Sequence, residues 1–342
     1  MIPLQLAVPG LAAFAVTFAL TPLVKRLAPK LGLVDLPNPR RINKVPMPTG
    51  GGLAVLAGVV VAAWLADIPH ILPTLLAASI ITAVGLVDDR IGLNAGQKFI
   101  GQLAAVLVYV IWGGRIEFVS NPFGGMFYLG YLSMPVTVFW ILALINLMNF
   151  IDGLDGLAVG ISLIAALTLL SLAWDLGRME AAVLSAILVG VSAGFLPFNF
   201  NPAKLYLGDA GAMLLGLLLA VVSTEGALKG AATIGLSVPI LIFALPIVDT
   251  FCAVVRRIQQ GVPFYQADQS HFHHRMLQLG LTQRQVVFVA YFLSSLSACA
   301  ALFAARYAWA AYILVPVIAA AFLYGSARVG MIQVPSKIER RM

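Results

Sequence analysis

Charged residues are scarce in this chain, and their scarcity excludes most soluble folds. Only 10% of the 342 residues are charged, whereas 61% are hydrophobic, and a soluble protein of this length would carry about a quarter charged residues. The composition therefore indicates an all-α polytopic membrane protein. One membrane domain can absorb the whole length, so we treat residues 1–342 as a single integral-membrane domain.

Cysteine and histidine are also rare, with two and four residues. Cys252 and Cys299 both lie in apolar runs, which indicates small core residues and no disulfide framework. The N-terminus lacks a basic leader, and its apolar run continues to Val24 before Lys25 and Arg26. This pattern predicts a first membrane span and not a cleaved signal peptide.

Windows of about 20 apolar residues predict eleven membrane spans. The predicted spans are residues 3–24, 50–67, 69–87, 97–113, 131–150, 156–174, 179–197, 209–224, 231–255, 286–305 and 307–326. A stretch from Gly113 to Gly130, rich in glycine and aromatic residues, predicts a short hairpin on the outer surface.

The distribution of lysine and arginine predicts the orientation of these spans. Seventeen of the 21 basic residues fall on one side, and the other side holds only Arg115, Arg178, Lys229 and Arg306. By the positive-inside rule the basic side is cytoplasmic, so the N-terminus is predicted outside and the C-terminus inside. The same loops account for the net charge of +7. The expected partners are therefore membrane lipids and anionic substrates, and not nucleic acid.

One polar stretch interrupts the apolar runs between the fifth and sixth spans. It carries Asn146, Asn149, Asp152 and Asp155, one at every third residue. On a helix the first three would share one face, and Gly153 would let Asp155 leave that face. Oxygen ligands concentrated at the end of a membrane helix suit a hard cation such as Mg²⁺. The alternative is a span end whose polar residues face water.

Two further carboxylate groups lie at predicted cytoplasmic span ends. Asp88 and Asp89 follow the third span, and their mutual repulsion favours a proton or a nearby cation, which a metal ion, Lys98 or Arg90 could supply. The alternative is an ordinary charged helix end. Asp209 lies where the eighth span begins, where it could instead cap the helix. Tyr206, three residues earlier, could stack on a flat ring or could be an interfacial belt residue.

The first loop, Gly32–Gly52, combines basic residues with a stiff framework. Arg40, Arg41 and Lys44 stand among several prolines, and a triple glycine that permits close backbone approach ends the loop. The basic side chains could hold phosphates, or they could anchor the loop at the membrane.

The loop after the ninth span holds a compact cluster of His271, His273, His274 and Arg275. No cysteine or zinc-site spacing accompanies these histidines, so a phosphate-binding or proton-handling role fits them better. Asp249 lies near the end of the ninth span, after Pro239 and Pro246. These prolines can bend the span, and the bend could open an apolar groove for a lipid tail.

Together these motifs resemble those of one enzyme family. They are the Gly32–Gly52 loop, the Asp88-Asp89 pair, Asn149-Phe-Ile-Asp152-Gly-Leu-Asp155, Leu207-Gly208-Asp209 and His271-Phe-His273-His274-Arg275, in this order. The chain resembles the polyprenyl-phosphate N-acetylhexosamine-1-phosphate transferases, the group that contains WecA, TagO and MraY. The resemblance runs from about residue 32 to 276, and the span count also fits.

In that family a UDP-sugar passes its sugar-1-phosphate to a polyprenyl phosphate, with release of UMP, and Mg²⁺ is required; Mn²⁺ is an alternative metal. The resemblance implies that Asn149 and Asp209 are metal ligands. It implies catalytic roles near the acceptor phosphate for Asp88, Asp89 and Lys98. It implies substrate-binding roles for the remaining motif residues: Arg40, Lys44, Asp152, Asp155, Tyr206, His271, His273, His274 and Arg275. Within this set, Tyr206 matches a position against the uracil and Asp155 a position near the nucleoside.

The histidine pattern narrows the expected sugar. His-x-His-His-Arg is the pattern of the WecA and TagO branch, whereas the MraY branch has three consecutive histidines followed by Phe-Glu. The resemblance therefore favours UDP-N-acetylglucosamine over UDP-N-acetylmuramoyl-pentapeptide. Asn43 stands where this branch often has histidine, and Gln269 stands where arginine is usual. Another UDP-N-acetylhexosamine is therefore kept as an alternative.

The expected protein is a multi-pass enzyme of the bacterial inner membrane with its active site on the cytoplasmic face. It would use undecaprenyl phosphate as acceptor and initiate cell-envelope polysaccharide synthesis, and a homodimer is left open. A membrane transporter is the competing class, but its acidic residues would be expected near the bilayer midplane. We further expect Asp88, Asn149 and Asp209 to converge in one site, because all three lie at predicted cytoplasmic span ends.

Overall fold

The protein is a bundle of α-helices. The computed structural model describes residues 3–37, 45–120, 126–228, 237–261 and 271–331. The helices within these ranges are α1 (Leu4–Leu27), α2 (Gly52–Ala66), α3 (Leu72–Ile91), α4 (Ala95–Ile111), α5 (Ser133–Ile151), α6 (Leu157–Asp175), α7 (Met179–Asn199), α8 (Gly208–Ser223), α9 (Ser237–Ile242), α10 (Ala244–Gln260), α11 (Phe272–Gln278), α12 (Gln283–Arg306) and α13 (Ala308–Arg328).

Eight of the helices in the described ranges are long and apolar enough to cross a membrane, namely α1, α3, α5, α6, α7, α8, α12 and α13. Helices α2 and α4 are apolar but shorter. These helices establish a multi-pass membrane protein. The count of eleven spans and the orientation of the termini stay predictions.

Helix α8 forms the centre of the bundle. Every residue from Ala210 to Ser223 is buried, which is typical of a helix that is apolar on all sides and surrounded by others. Glycines let its neighbours approach closely. A Cβ atom on Gly85 of α3 would lie 2.3 Å from Ala210 Cα, and one on Gly216 would lie 2.7 Å from the Leu144 carbonyl oxygen. Close packing of this kind stabilises membrane helices, because lipid supplies no hydrophobic drive between them.

The close contact between Gly85 and the backbone of α8 can be tested by substitution. Gly85→Ala should lower the stability of the protein by about 1–3 kcal/mol, because the new methyl group overlaps the backbone of α8. Gly96→Ala on α4 is the matched control, since its Cβ would meet only Asn94 Oδ1 at 3.4 Å. Thermal unfolding in detergent, followed by size-exclusion chromatography, measures both variants. A Gly85→Ala protein as stable as Gly96→Ala would contradict the close approach.

The predicted ninth span is broken in its described part. Phe243 separates α9 from α10, with backbone angles of φ −100° and ψ 21°. Pro246 has no N–H and cannot donate to the carbonyl of Ile242, so the helix cannot run through this point unchanged. The prolines therefore produce a break between two helices, where the sequence predicted a bend.

Two short antiparallel ribbons accompany the helices. The hairpin predicted between Gly113 and Gly130 is confirmed, with β3 (Phe118–Ser120) paired to β4 (Met126–Tyr128). A second ribbon, which was not predicted, pairs β1 (Val34–Asp35) with β2 (Met47–Pro48) and closes the first loop. With only two residues a strand, it leaves no periodic pattern in the sequence.

The triple glycine lies where the first loop meets the segment before α8. Gly51 N–H donates to the Tyr206 carbonyl at 3.0 Å, and Gly52 N–H donates to the Leu207 carbonyl at 3.2 Å. A Cβ atom on Gly52 would lie 2.5 Å from Gly211 N. The close backbone approach expected from these glycines is thus present, and it fixes Tyr206 beside the start of α8.

Candidate active site

A ladder of polar contacts joins α4 to α5. Lys98 Nζ donates to Asn149 Oδ1 at 3.1 Å. Gln102, one turn further along α4, exchanges amide hydrogen bonds of 2.8 and 3.2 Å with Asn146. The predicted shared face of Asn146 and Asn149 is therefore confirmed. The extension of that face to Asp152 is wrong, because α5 ends at Ile151 and Asp152 has non-helical angles of φ −77° and ψ 47°.

Lys98 lies at the centre of a cluster of oxygen atoms. Its ammonium nitrogen is 2.6 Å from Asp209 Oδ2, 2.8 Å from Asp88 Oδ2 and 3.1 Å from Asn149 Oδ1. Asn149 Nδ2 also donates to Asp209 Oδ1 at 2.6 Å. The cluster brings together α3, α4, α5 and α8, so the predicted convergence of Asp88, Asn149 and Asp209 is present. Their chemical roles stay predictions.

Asp209 does not cap its own helix. Leu207 occupies the cap position of α8 and makes no side-chain cap hydrogen bond. Asp89, reaching across from α3, accepts the backbone N–H groups of Asp209 at 2.9 Å and of Ala210 at 3.4 Å. A carboxylate at this end is also favoured by the helix dipole. The capping alternative for Asp209 is wrong, and its carboxylate is left for the Lys98 cluster.

Asp88 and Asp89 belong to the last turn of α3, which ends at Ile91 and not near residue 87 as predicted. Adjacent helical residues point about 100° apart, so the two carboxylates reach different partners. Asp88 Oδ1 accepts the Leu93 N–H at 2.6 Å while its other oxygen faces Lys98. The pair therefore divides into one carboxylate in the cluster and one that anchors α8.

Asp155 is held by the segment between α7 and α8. Its Oδ2 accepts Asn201 Nδ2 at 2.9 Å and the Ala203 N–H at 3.0 Å. Asn201 Nδ2 also lies 2.5 Å from Gln283 Oε1, at the start of α12. Asn199 Oδ1 accepts the Gly156 N–H at 3.0 Å. This network fixes the turn that carries Asp155.

Asp152 lies in the same turn, close to the other acids. Burial, together with the negative charges of Asp209 and Asp89, raises the pKa of Asp152 well above its usual range. A cation placed here would relieve that repulsion and favour the ionised form.

The histidine helix α11 packs against this turn. A Cβ atom on Gly153 would lie 2.2 Å from His273 Nε2, so glycine makes room for the ring. Burial, helped by the neighbouring His274, lowers the pKa of His273 to about 3, which leaves the ring neutral at pH 7. Among the described residues, no hydrogen-bond partner faces its buried Nδ1.

A cavity of about 420 Å³ lies over the cluster. Eight of the predicted site residues line it: Asp88, Asp89, Asp152, Asp155, Tyr206, Asp209, His273 and His274. Lys98 and Asn149 lie against these residues without lining the cavity, and His271 pairs with Asp249 outside it. Arg275 donates to Gln278 at 3.1 Å and also lies off the cavity. Arg40 and Lys44, like Asn43 and Gln269, fall outside the described residues.

Several lining residues were not identified from the sequence, and they are Asp35, Thr49, Asn199 and Gln283. Asn199 and Asn201 had a usable signal, since two amides in Phe-Asn-Phe-Asn-Pro are unusual beside a membrane span. Gln283 and Thr49 had none, because each is brought to the cavity only by tertiary packing.

The cluster fits a divalent cation by its donor atoms. Within the described ranges there is no group of three or more His, Cys, Asp and Glu residues that could hold a metal ion. Two carboxylates and one amide oxygen nevertheless surround Lys98 Nζ. Mg²⁺ is commonly held by one or two carboxylates and completes its shell with water and substrate phosphates. Asp88, Asn149 and Asp209 therefore suit such an ion.

Fold and site together define a multi-pass membrane protein whose polar residues converge on one end of a helical bundle. The chain belongs to glycosyl transferase family 4: the family model matches residues 71–227, and close relatives cover most of the chain.

The curated relatives agree with the motif resemblance. The chain is 37% identical over 302 residues to a probable undecaprenyl-phosphate N-acetylglucosaminyl 1-phosphate transferase of Bacillus subtilis (strain 168), covering 86% of this chain and 84% of the relative. It is 37% identical over 323 residues to the decaprenyl-phosphate N-acetylglucosaminephosphotransferase of Mycobacterium tuberculosis (strain H37Rv), covering 84% and 79%. It is 27% identical over 278 residues to the undecaprenyl-phosphate alpha-N-acetylglucosaminyl 1-phosphate transferase of Escherichia coli (strain K12), covering 76% and 73%. The resemblance stated from the motifs is confirmed.

Proposed function

We propose that the protein transfers N-acetylglucosamine-1-phosphate from UDP-N-acetylglucosamine to undecaprenyl phosphate and releases UMP. An oxygen of the lipid phosphate becomes bonded to the phosphorus that carries the sugar, and the bond from that phosphorus to UMP breaks. The observation that carries the proposal is the cluster of Lys98, Asp88, Asn149 and Asp209 beneath the polar cavity. The activities for which the relatives in Bacillus and Escherichia are named support it.

The cluster suits a reaction between two anions. Bringing a lipid phosphate against a nucleotide diphosphate costs electrostatic energy, and cationic groups at the meeting point offset that cost. Lys98 supplies one such charge. A bound Mg²⁺, or Mn²⁺ in its place, would supply further positive charge to offset the negative charge that develops in the transition state. Asp209 and Asn149 would hold the ion, with Asp88 beside them, while Asp89 keeps α8 in place.

Other residues that line the same cavity suit the nucleotide. Tyr206 offers a ring for the uracil, and Asp155 offers a carboxylate that its hydrogen bonds to Asn201 and Ala203 hold in one orientation. His273 and His274 also line the cavity and would contact the diphosphate and sugar. A neutral His273 can donate or accept a hydrogen bond without adding charge.

A second cavity suits the lipid tail. It has a volume of about 270 Å³, is almost wholly apolar, and is enclosed by α10, α11, α12 and α13. It lies beside the broken ninth span, where the sequence predicted an apolar groove. Asp249 and Phe272 line its end, and both contact the histidine segment that lies along the first cavity.

Filling this second cavity should weaken the binding of the lipid acceptor and leave the binding of the UDP-sugar unchanged. We expect Leu293→Trp to raise the KM for undecaprenyl phosphate by about 5–150-fold, the factor that corresponds to a loss of about 1–3 kcal/mol of binding free energy. The KM for UDP-N-acetylglucosamine should stay unchanged. Phe292→Trp is the matched control, because the neighbouring ring is exposed on the outside of α12. An unchanged KM for the lipid in Leu293→Trp would place the tail elsewhere.

The active site is proposed to face the cytoplasm of the bacterial inner membrane. The support is the charge distribution, with seventeen of the 21 basic residues on the side of the clusters. UDP-sugars are cytoplasmic metabolites, so this orientation places the donor on the correct side. A role in starting cell-envelope polysaccharide synthesis follows from the same reaction.

A transporter is disfavoured by the position of the acids. Asp88, Asp152 and Asp209 lie at the ends of helices and not near their middles, where transported ions are bound. A different UDP-N-acetylhexosamine is the remaining alternative donor, and the UDP-N-acetylmuramoyl-pentapeptide is disfavoured by the histidine pattern.

The deciding experiment is an assay of the purified protein. It is incubated with undecaprenyl phosphate, Mg²⁺ and, in separate reactions, labelled UDP-N-acetylglucosamine, UDP-N-acetylgalactosamine or UDP-N-acetylmuramoyl-pentapeptide. We expect label in the lipid extract and release of UMP with UDP-N-acetylglucosamine. If only another donor labels the lipid, the proposed sugar is wrong. If none of the donors labels the lipid, the transferase proposal is refuted.

A further inference from the structure

Asp249 is a buried carboxylate that the proposed chemistry does not use. It lies in α10, just beyond the break at Phe243, with only 3% of its surface exposed. It does not line the polar cavity. A carboxylate taken out of water is unfavourable unless its oxygens are paired, so its partners indicate what it does.

Both oxygens of Asp249 contact the start of the histidine helix. Oδ1 accepts the Phe272 N–H, the first backbone donor of α11, at 2.7 Å. Oδ2 lies 2.9 Å from His271 Nδ1. His271 occupies the cap position of α11 and makes no side-chain cap hydrogen bond of its own. Asp249 therefore caps α11 from another helix, as a residue at the cap position would otherwise do.

The contact with Nδ1 also selects the form of the His271 ring. A carboxylate can only accept, so Nδ1 carries the proton and Nε2 is the nitrogen left for another partner. The ring packs between Phe150, with centroids 6.1 Å apart, and His273, with centroids 6.0 Å apart and planes at 4°. His274 follows at 4.2 Å from His273. The ring held by Asp249 therefore lies beside His273, and His273 lies beside His274; these last two rings line the polar cavity.

We propose that Asp249 is a positioning residue for the transfer reaction, acting through His271 and Phe272 to orient the helix that presents His273 and His274 to the cavity. This inference rests on the proposed function. It also connects the two cavities, because Asp249 and Phe272 line the apolar one while the histidines line the polar one. Partners that orient metal-ligating histidines change metal affinity or activity by about 10–100-fold when they are altered, and we expect an effect of the same order here.

The test is a double-mutant cycle on purified protein. Asp249→Asn keeps an oxygen for the Phe272 N–H but cannot hold the Nδ1 proton of His271 as a carboxylate does. We expect it to lower kcat by about 10–100-fold, with the thermal midpoint and the affinity for UMP close to those of the wild type. Asp175→Asn, an exposed aspartate at the end of α6, is the matched control and should leave kcat unchanged.

The cycle separates action through His271 from a merely structural role. If Asp249 acts through that ring, Asp249→Asn combined with His271→Gln is no slower than His271→Gln alone. Asp249→Glu, which restores the carboxylate, should recover part of kcat. Multiplied losses in the double variant, or a kcat loss that follows the thermal midpoint in every variant, would overturn the inference. If the wild-type protein labels no lipid, both the proposed function and this inference fail. If the wild type is active but the kcat losses of the two single variants multiply in the double variant, only this inference fails.

Discussion

Asp209→Asn should lower sugar-phosphate transfer by about 100–1,000-fold at saturating substrates, the range observed when a group that stabilises transition-state charge is removed. The protein should still fold and enter the membrane. Asp209 Oδ2 lies 2.6 Å from Lys98 Nζ, and its other oxygen accepts from Asn149. The substitution keeps the size of the side chain but removes one negative charge from the oxygens proposed to hold the metal ion.

The fold should tolerate this change because Asp209 does not cap α8. Asp89 accepts the free N–H groups at the start of that helix, and those contacts use the backbone of residue 209, not its side chain. Asparagine leaves them intact. Activity and stability should therefore separate in this variant, whereas Asp89→Ala, which removes the cap itself, should reduce both.

Activity is measured by transfer of label to lipid across a range of Mg²⁺ concentrations, and stability by the thermal midpoint in the same detergent. Asp67→Asn serves as the matched control. It is an exposed aspartate at the C-terminus of α2, with a left-handed φ of 45° that asparagine also accepts. Near-normal turnover of Asp209→Asn in saturating Mg²⁺ would show that the carboxylate is not needed at the reaction centre.

Most of the helices were predictable because their apolar runs are long enough to cross a membrane, and because few charges interrupt them. The same logic placed Asn149 and Asp209 near one another, since both lie at span ends on the basic side. Helix ends that share one membrane face have little room to diverge in a close-packed bundle. The two residues meet at 2.6 Å.

Contacts made across the bundle were not predictable. The sequence offered Asp209 as a metal ligand or as the cap of its own helix, and it offered Asp89 as half of an acidic pair. In the structure Asp89 takes the capping role, because it reaches the start of α8 from the last turn of α3. Nothing near Asp249 in the chain indicates His271, 22 residues away. Such pairings depend on how α3 packs against α8 and how α10 packs against α11. Local pattern and composition do not encode that packing.

Lys98→Met should make the protein depend on a divalent cation for its stability. The ammonium group of Lys98 is held by Asp88, Asp209 and Asn149, with its side chain 18% exposed. Methionine retains the length of the stem but leaves two carboxylates facing one another without a cation. In the presence of a chelator we expect the variant to lose about 1–3 kcal/mol of stability, the usual effect of leaving buried polar groups without a partner.

Mg²⁺ should restore that loss, because the proposed metal site uses the same three oxygens that hold the ammonium. At that site an ion arriving in the wild type would have to displace Lys98, and the exchange would reduce its net binding free energy. In Lys98→Met no exchange is needed. The thermal midpoint should therefore rise more with Mg²⁺ in the variant than in the wild type, since at a given concentration a ligand that binds the folded state more tightly stabilises it more.

The comparison requires thermal unfolding of both proteins over a series of Mg²⁺ concentrations, with Lys204→Met, an exposed lysine between α7 and α8, as the matched control. Transfer activity should also fall in Lys98→Met, because the ammonium no longer helps to neutralise the two phosphates. This loss of activity would not by itself distinguish a role in catalysis from one in metal binding. The stability series makes this distinction. If Mg²⁺ raises the thermal midpoint equally in Lys98→Met and in the wild type, the ion binds away from Asp88, Asn149 and Asp209. In that case Lys98 does not occupy the metal site.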